Sequence, residues 1–133
     1  MADLYSQADL GEMINKGQVL SFEANAAITK GQAVKFVAVA NDLPKVDVAG
    51  AGDKAVGIAQ NTVAAGGQCS VAMNGAIVKV TGSGAITAGA AVKSGAAGVV
   101  VAGTRLTDAT IFATAFQTFA DGDTGLILVG GMA

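Results

Sequence analysis

From Gly17 onward, apolar residues come in short runs that alternate with polar or small ones, the two-residue period of half-buried β-strands. Val19, Leu20 and Phe22 form the first run, and a small-residue turn at 23–27 separates it from a second over Ala33 to Val39. Asn41-Asp42 supplies the next turn, after which Val46 and Val48 alternate with Lys45 and Asp47. Pro44 sits at the start of that run, where no ladder donor is lost. Val56 to Gln60 and Gln68 to Met73 read as a strand pair around the turn Ala64-Ala65-Gly66-Gly67. A second series follows, with strands expected near 77–80, 91–93, 99–102, 111–119 and 124–129. Only 111–119 is ambiguous, because Phe112, Phe116 and Phe119 have helical spacing. The β-branched Thr110, Thr114 and Thr118, and the alternation of the matching stretch 56–63, decide for a strand.

The two series are copies of one unit. Ile28-Thr29-Lys30-Gly31-Gln32-Ala33-Val34-Lys35 returns as Ile86-Thr87-Ala88-Gly89-Ala90-Ala91-Val92-Lys93, a spacing of 58 residues (86 minus 28). Gly17 meets Gly75 at the same spacing, and Phe22 meets Val80. Beyond Gly57, which faces Ala113, the spacing is 56 (113 minus 57), so the second copy is two residues shorter in its middle. Two copies, at 17–73 and 75–129, make a tandem duplication of one supersecondary unit of about five strands, fewer than a solenoid needs to bury a core. The expected fold is all-β: a small Gly/Ala-rich barrel or sandwich over 17–133, preceded by an N-terminal arm over 1–16.

That arm lies outside the duplication and carries Leu4, Tyr5, Leu10, Met13 and Ile14, apolar residues with no counterpart in the repeat. They are the expected contacts to a partner subunit. Ser6 with Asp9 three residues on fits the cap of a short helix bearing Leu10, Met13 and Ile14, although Gly11 weakens it; a frayed end is the alternative.

Composition thins the core. Hydrophobic residues are 52% of the chain, yet there is no Trp and aromatics are 5%, so the interior must be layers of small and β-branched side chains between closely approaching strands. Nineteen Gly fall between the apolar runs and read as turns. Eight basic and ten acidic residues leave a net charge of -2 with no basic cluster, which argues against a nucleic-acid partner. No apolar run reaches membrane-spanning length, and the first residues lack the basic and apolar regions of a signal peptide, so a membrane partner is not expected. A lone cysteine, Cys69, fits production in a reducing cytoplasm.

Candidate chemistry is sparse. With no His, triads, dyads and most zinc sites are excluded at once, and no catalytic residue, cofactor or metal is expected. Cys69 falls in a strand and reads as a small buried hydrophobe; its repeat counterpart is Gly125, which implies a position indifferent to side-chain size. Asp121-Gly122-Asp123 lacks the rest of a calcium loop and reads as a hairpin turn, and Gly82-Ser83-Gly84 lacks the Lys and the helix of a phosphate loop. Asp53-Lys54-Ala55 resembles the modified-lysine hairpin of lipoyl carrier domains, a three-residue match that makes Lys54 the modified residue of an alternative carrier reading.

A broader resemblance rests on Lys54-Ala55-Val56-Gly57-Ile58-Ala59-Gln60, then Ala64-Ala65-Gly66-Gly67-Gln68, Val71, and Gly75-Ala76-Ile77-Val78-Lys79-Val80. Together with the repeated Ile-Thr-x-Gly-x-x-Val, this pattern resembles the capsid decoration, or cement, proteins of tailed bacteriophages over about 17–130. The resemblance implies a structural virion protein, not an enzyme, that binds the outside of the head and bridges neighbouring major capsid protein subunits, often as a homotrimer. It carries over no functional residues, because the family has no signature site. A tail or baseplate subunit is the alternative within the same class.

Overall fold

A computed structural model describes residues 13–15, 17–40, 42–104 and 107–130. Eleven strands follow in order: β1 (Met13–Asn15), β2 (Val19–Glu23), β3 (Ala33–Val37), β4 (Lys45–Val48), β5 (Gly57–Ala59), β6 (Gln68–Ala72), β7 (Ile77–Thr81), β8 (Ala91–Ser94), β9 (Val100–Ala102), β10 (Ile111–Ala115) and β11 (Thr124–Val129). Each repeat copy builds one antiparallel sheet. The first runs β2-β6-β5-β3-β4 and the second β7-β11-β10-β8-β9, so replacing every strand by its repeat partner turns one order into the other. β1 is added outside this scheme, on the free edge of β7, where Met13 pairs with Val78 and Asn15 with Ile77.

Both sheets curl until their outermost strands touch. A parallel bridge joins Ala24, just past β2, to Val46 in β4; its counterpart joins Gly82 to Val100. The backbone ties repeat as closely. Ile28 and Val63 exchange N–H···O bonds at 2.9 Å, as do Ile86 and Phe119, and the hydroxyls of Thr62 and Thr118 accept from the N–H groups of Lys30 and Ala88. Each half also carries one Lys–Asp pair, Lys35–Asp53 at 3.0 Å and Lys93–Asp108 at 3.2 Å.

The two faces of the first sheet have different neighbours. Val34, Val46, Ala59, Cys69 and Val71 pack with Ala24 and Ile28 into a core of the first half. The alternating positions Ala33, Ile58 and Ala72 point the other way, as the pleat requires, and join Val78, Ile86, Val92, Ala113 and Ile127 of the second half in a larger cluster. Ala33, Ala49, Ala55 and Ala72 make most of the first half's share, which explains why so much alanine is needed: small side chains let the halves approach closely. Polar groups finish the seam, with the Gly98 N–H on the Ala49 carbonyl (2.9 Å), the Gln32 amide on the Ala97 carbonyl (3.1 Å) and the Ser94 hydroxyl on the Ala49 carbonyl (3.2 Å).

The all-β class and the two tandem units agree with expectation, and local details differ. The strand expected over 111–119 ends at Ala115. The N–H of Phe116 still reaches the Leu126 carbonyl, but the Gln117 side chain then accepts the Leu126 N–H (3.0 Å) in place of a backbone partner, which ends the pairing and leaves Phe116 exposed. A single 3-10 turn, Ala96–Gly98, was not foreseen; Ala97 takes a φ of 53° there while its carbonyl serves Gln32. Met13 and Ile14 lie in a strand, so the short helix proposed to carry them does not extend that far; its other residues fall outside the described ones. The edge of β7 offers unpaired backbone groups, and this tertiary opportunity outweighs the helical spacing.

Candidate functional site

The residues singled out for chemistry are placed as structural parts. Cys69 is fully buried in β6, and burial pushes its thiol above the ordinary cysteine range, away from the thiolate that nucleophilic chemistry needs. Asp53 lies below the ordinary carboxylate range because it accepts the Gly50 N–H and the Lys35 ammonium. Asp108 does the same with the Thr104 N–H and Lys93. Asp121 accepts the N–H of Gly84 at 2.7 Å, tying the turn it sits in to the Gly82–Gly84 stretch. The Lys54 ammonium is turned back onto the Ile111 carbonyl of the other half, so it fastens the halves together instead of standing out from its loop. No group of three or more metal-ligating side chains occurs among the described residues, and no described helix is long and apolar enough to cross a membrane.

Gly125, the counterpart of Cys69, corrects the expectation of an indifferent position. A Cβ there would lie 2.2 Å from the Phe119 ring, and one at Gly82 would lie 2.5 Å from the same ring. The matching positions of the first half hold Val63, Cys69 and Ala24. One half therefore fills the space with three modest side chains, the other with one large ring flanked by two glycines. This is a conserved volume differently divided.

What remains as a candidate surface is apolar and lies mostly in the first half, with Phe116 also exposed in the second. Val19, Leu20, Phe36 and Leu43 are exposed, Leu43 to 77% and Leu20 to 44%, and the Phe36 ring meets the half-buried Phe22 edge to face with centroids 5.1 Å apart. Beside them a pocket of about 170 Å³ has Ser21, Phe22, Glu23, Asp42, Lys45 and Gln68 in its lining, with Glu23 and Lys45 paired at 3.1 Å. The repeat shows why this patch is unusual. Leu20 and Phe22 correspond to Val78 and Val80, both buried, and β7 has β1 along its edge whereas the edge of β2 has no strand partner among the described residues.

Of the contact residues expected from sequence, Leu4, Tyr5 and Leu10 lie outside the described residues, while Met13 and Ile14 belong to β1, paired with the protein's own β7. Val19, Leu20, Phe36 and Leu43 were missed as surface residues. Their apolar alternation looks the same whether a strand is covered or bare; only the repeat alignment, with Phe36 at the place of the small Ser94, carried a signal.

Residues 14–131 match the family described as phage cement protein. No curated protein matches the chain. Among solved structures, the head fiber gp8.5 N base of bacteriophage phi29 has a similar fold, with a TM-score of 0.66 at 15% identity over 85% of this chain and 93% of that one.

Proposed function

The chain belongs to the phage cement protein family, and from that membership we propose that it binds the exterior of an assembled head and bridges neighbouring major capsid protein subunits, stabilising the expanded shell. It is thus a structural protein of the phage capsid. The observation that carries the reading is the family match, which spans both repeat copies. The fold shared with a protein described as a phage head fiber favours a place on the head over the tail or baseplate. Weak net charge and a bare apolar patch fit a protein whose work is contact area. Many identical modest contacts on a closed shell add up, so each subunit needs little affinity of its own.

Binding only the assembled state stabilises it by mass action, by about 2.7 kcal/mol per site when free protein is at about a hundred times its Kd. Purified protein titrated onto undecorated heads should saturate at a fixed copy number and raise the temperature at which heads disrupt. Saturable binding without stabilisation would leave a display protein, and absence of binding would move the assignment to the tail. The homotrimer is part of the same proposal, checked by the mass of the free protein in solution. So is the N-terminal contact: Leu4, Tyr5 and Leu10 precede β1, and removal of residues 1–12 should weaken head binding while the two sheets still fold. Unchanged affinity would remove those residues from the interface.

A further inference from the structure

We propose that the open stretch of the β2 edge is a strand-docking site, taken up on the head by an extended segment of the capsid shell that pairs antiparallel with Val19 to Ser21 beside the adjoining pocket. The proposal rests on the cement reading above and names the contact through which it would act.

The molecule contains its own precedent. β7 is the repeat partner of β2, and its outer edge is covered by an antiparallel strand whose register places Met13 opposite Val78 and Asn15 opposite Ile77. The equivalent positions on β2 are Leu20 and Val19, two of the exposed apolar residues. Among the described residues the two equivalent edges share one added strand, β1, already placed on β7, so the added strand on β2 is sought in the protein's partner.

Backbone geometry agrees. The Gln18 carbonyl accepts the Met73 N–H and the Ala24 N–H reaches the Gly67 carbonyl, so the even positions of β2 face β6. By the alternation of an antiparallel ladder, Val19, Ser21 and Glu23 turn their N–H and C=O groups outward; at Glu23 the edge is closed by the bridge of Ala24 to Val46 and the Asn25 N–H on the Val46 carbonyl, which leaves Val19 to Ser21 available to an added strand. The pocket between β2 and the loop of Asp42, Leu43 and Pro44 lies beside this edge and has room for one side chain of the docked strand, a polar one, since Ser21, Glu23, Asp42, Lys45 and Gln68 are in its lining.

The test uses full-length protein and undecorated heads. Ser21→Pro removes an outward N–H and leaves the bonds to β6 intact; losing one hydrogen bond of the added strand should weaken head binding about tenfold with the melting temperature little changed. Leu20→Lys, on an exposed position, gives an independent variant should the proline disturb folding. Hydrogen exchange on decorated heads should show the Val19 and Ser21 amides newly protected, and a photoreactive probe attached through Ser21→Cys should capture the major capsid protein. Wild-type protein that binds heads while these amides stay unprotected, or a probe that captures only a second copy of this chain, would overturn the docking site and leave the cement reading standing. Failure of the wild type to bind heads at all would overturn both.

Discussion

Val63 and Cys69 in the first half stand where Phe119 and Gly125 stand in the second, yet the same backbone bonds hold the strands around both sets. The comparison separates what the repeat requires from what it permits. Required are the strand order, the bridges that close each curl, the threonine hydroxyls and the Lys–Asp pairs. Permitted is any division of core volume that fills the same space. The halves differ again at their edges, where β7 carries β1 and β2 has no added strand among the described residues.

The largest expected effect comes from forcing one half's solution into the other. Gly125→Cys alone should destabilise the protein by about 3 kcal/mol, because its Cβ runs into the Phe119 ring. Phe119→Val alone should cost about 2 kcal/mol through the cavity it leaves. The double variant should recover more than 1 kcal/mol of the summed loss, as contacting residues do, with ~1 kcal/mol the smallest coupling that urea unfolding would resolve clearly. Strict additivity would show that the volumes are not exchanged between these positions.

A smaller effect is expected at Cys69→Ala, about 1 kcal/mol lost for a trimmed core side chain with the affinity for heads unchanged. Lost head binding in folded protein would give the thiol a role that its burial denies.

The smallest effects concern Asp53 and Asp108, where the two halves should behave alike. Both carboxyls lie below their ordinary range in the folded protein, so their stabilisation is complete above the unfolded value and is lost as pH falls through the lower folded one. Melting temperatures should therefore decline below about pH 4, and Asp53→Asn and Asp108→Asn should each flatten that decline and converge with wild type in acid. Both pairs are partly exposed, so the gain at neutral pH is modest. A decline left unchanged by both substitutions would assign acid sensitivity to other groups.

Most of the fold was legible because strands of this kind announce themselves twice, once by period and once by repetition. The phenylalanines of 111–119 were resolved in this way, by reference to 56–63. β1 was not, since three residues outside the repeat have no second copy to consult and their strand exists only because β7 presents an edge. The end of β10 depends on where one glutamine side chain folds, which no pattern records. The candidate site was the least legible part. Leu20 and Val78 look equivalent in sequence, yet Val78 is buried in the cluster that the two halves share while Leu20 is bare, a difference that only the packing of the halves reveals.

β1 also sets an order of events for the growing chain. Its residues leave the ribosome before the strands of either repeat copy, but Val78, which Met13 pairs with, comes 65 positions later (78 minus 13). The first half has all five of its strands by Ala72, so it can form while its successor is still being made. The opening segment must wait through that whole period, and closing so long a loop for three residues of pairing brings a small return. β1 should therefore be the last strand to lock and the first to open, a latch whose amides exchange with solvent well before those of β7 beneath it.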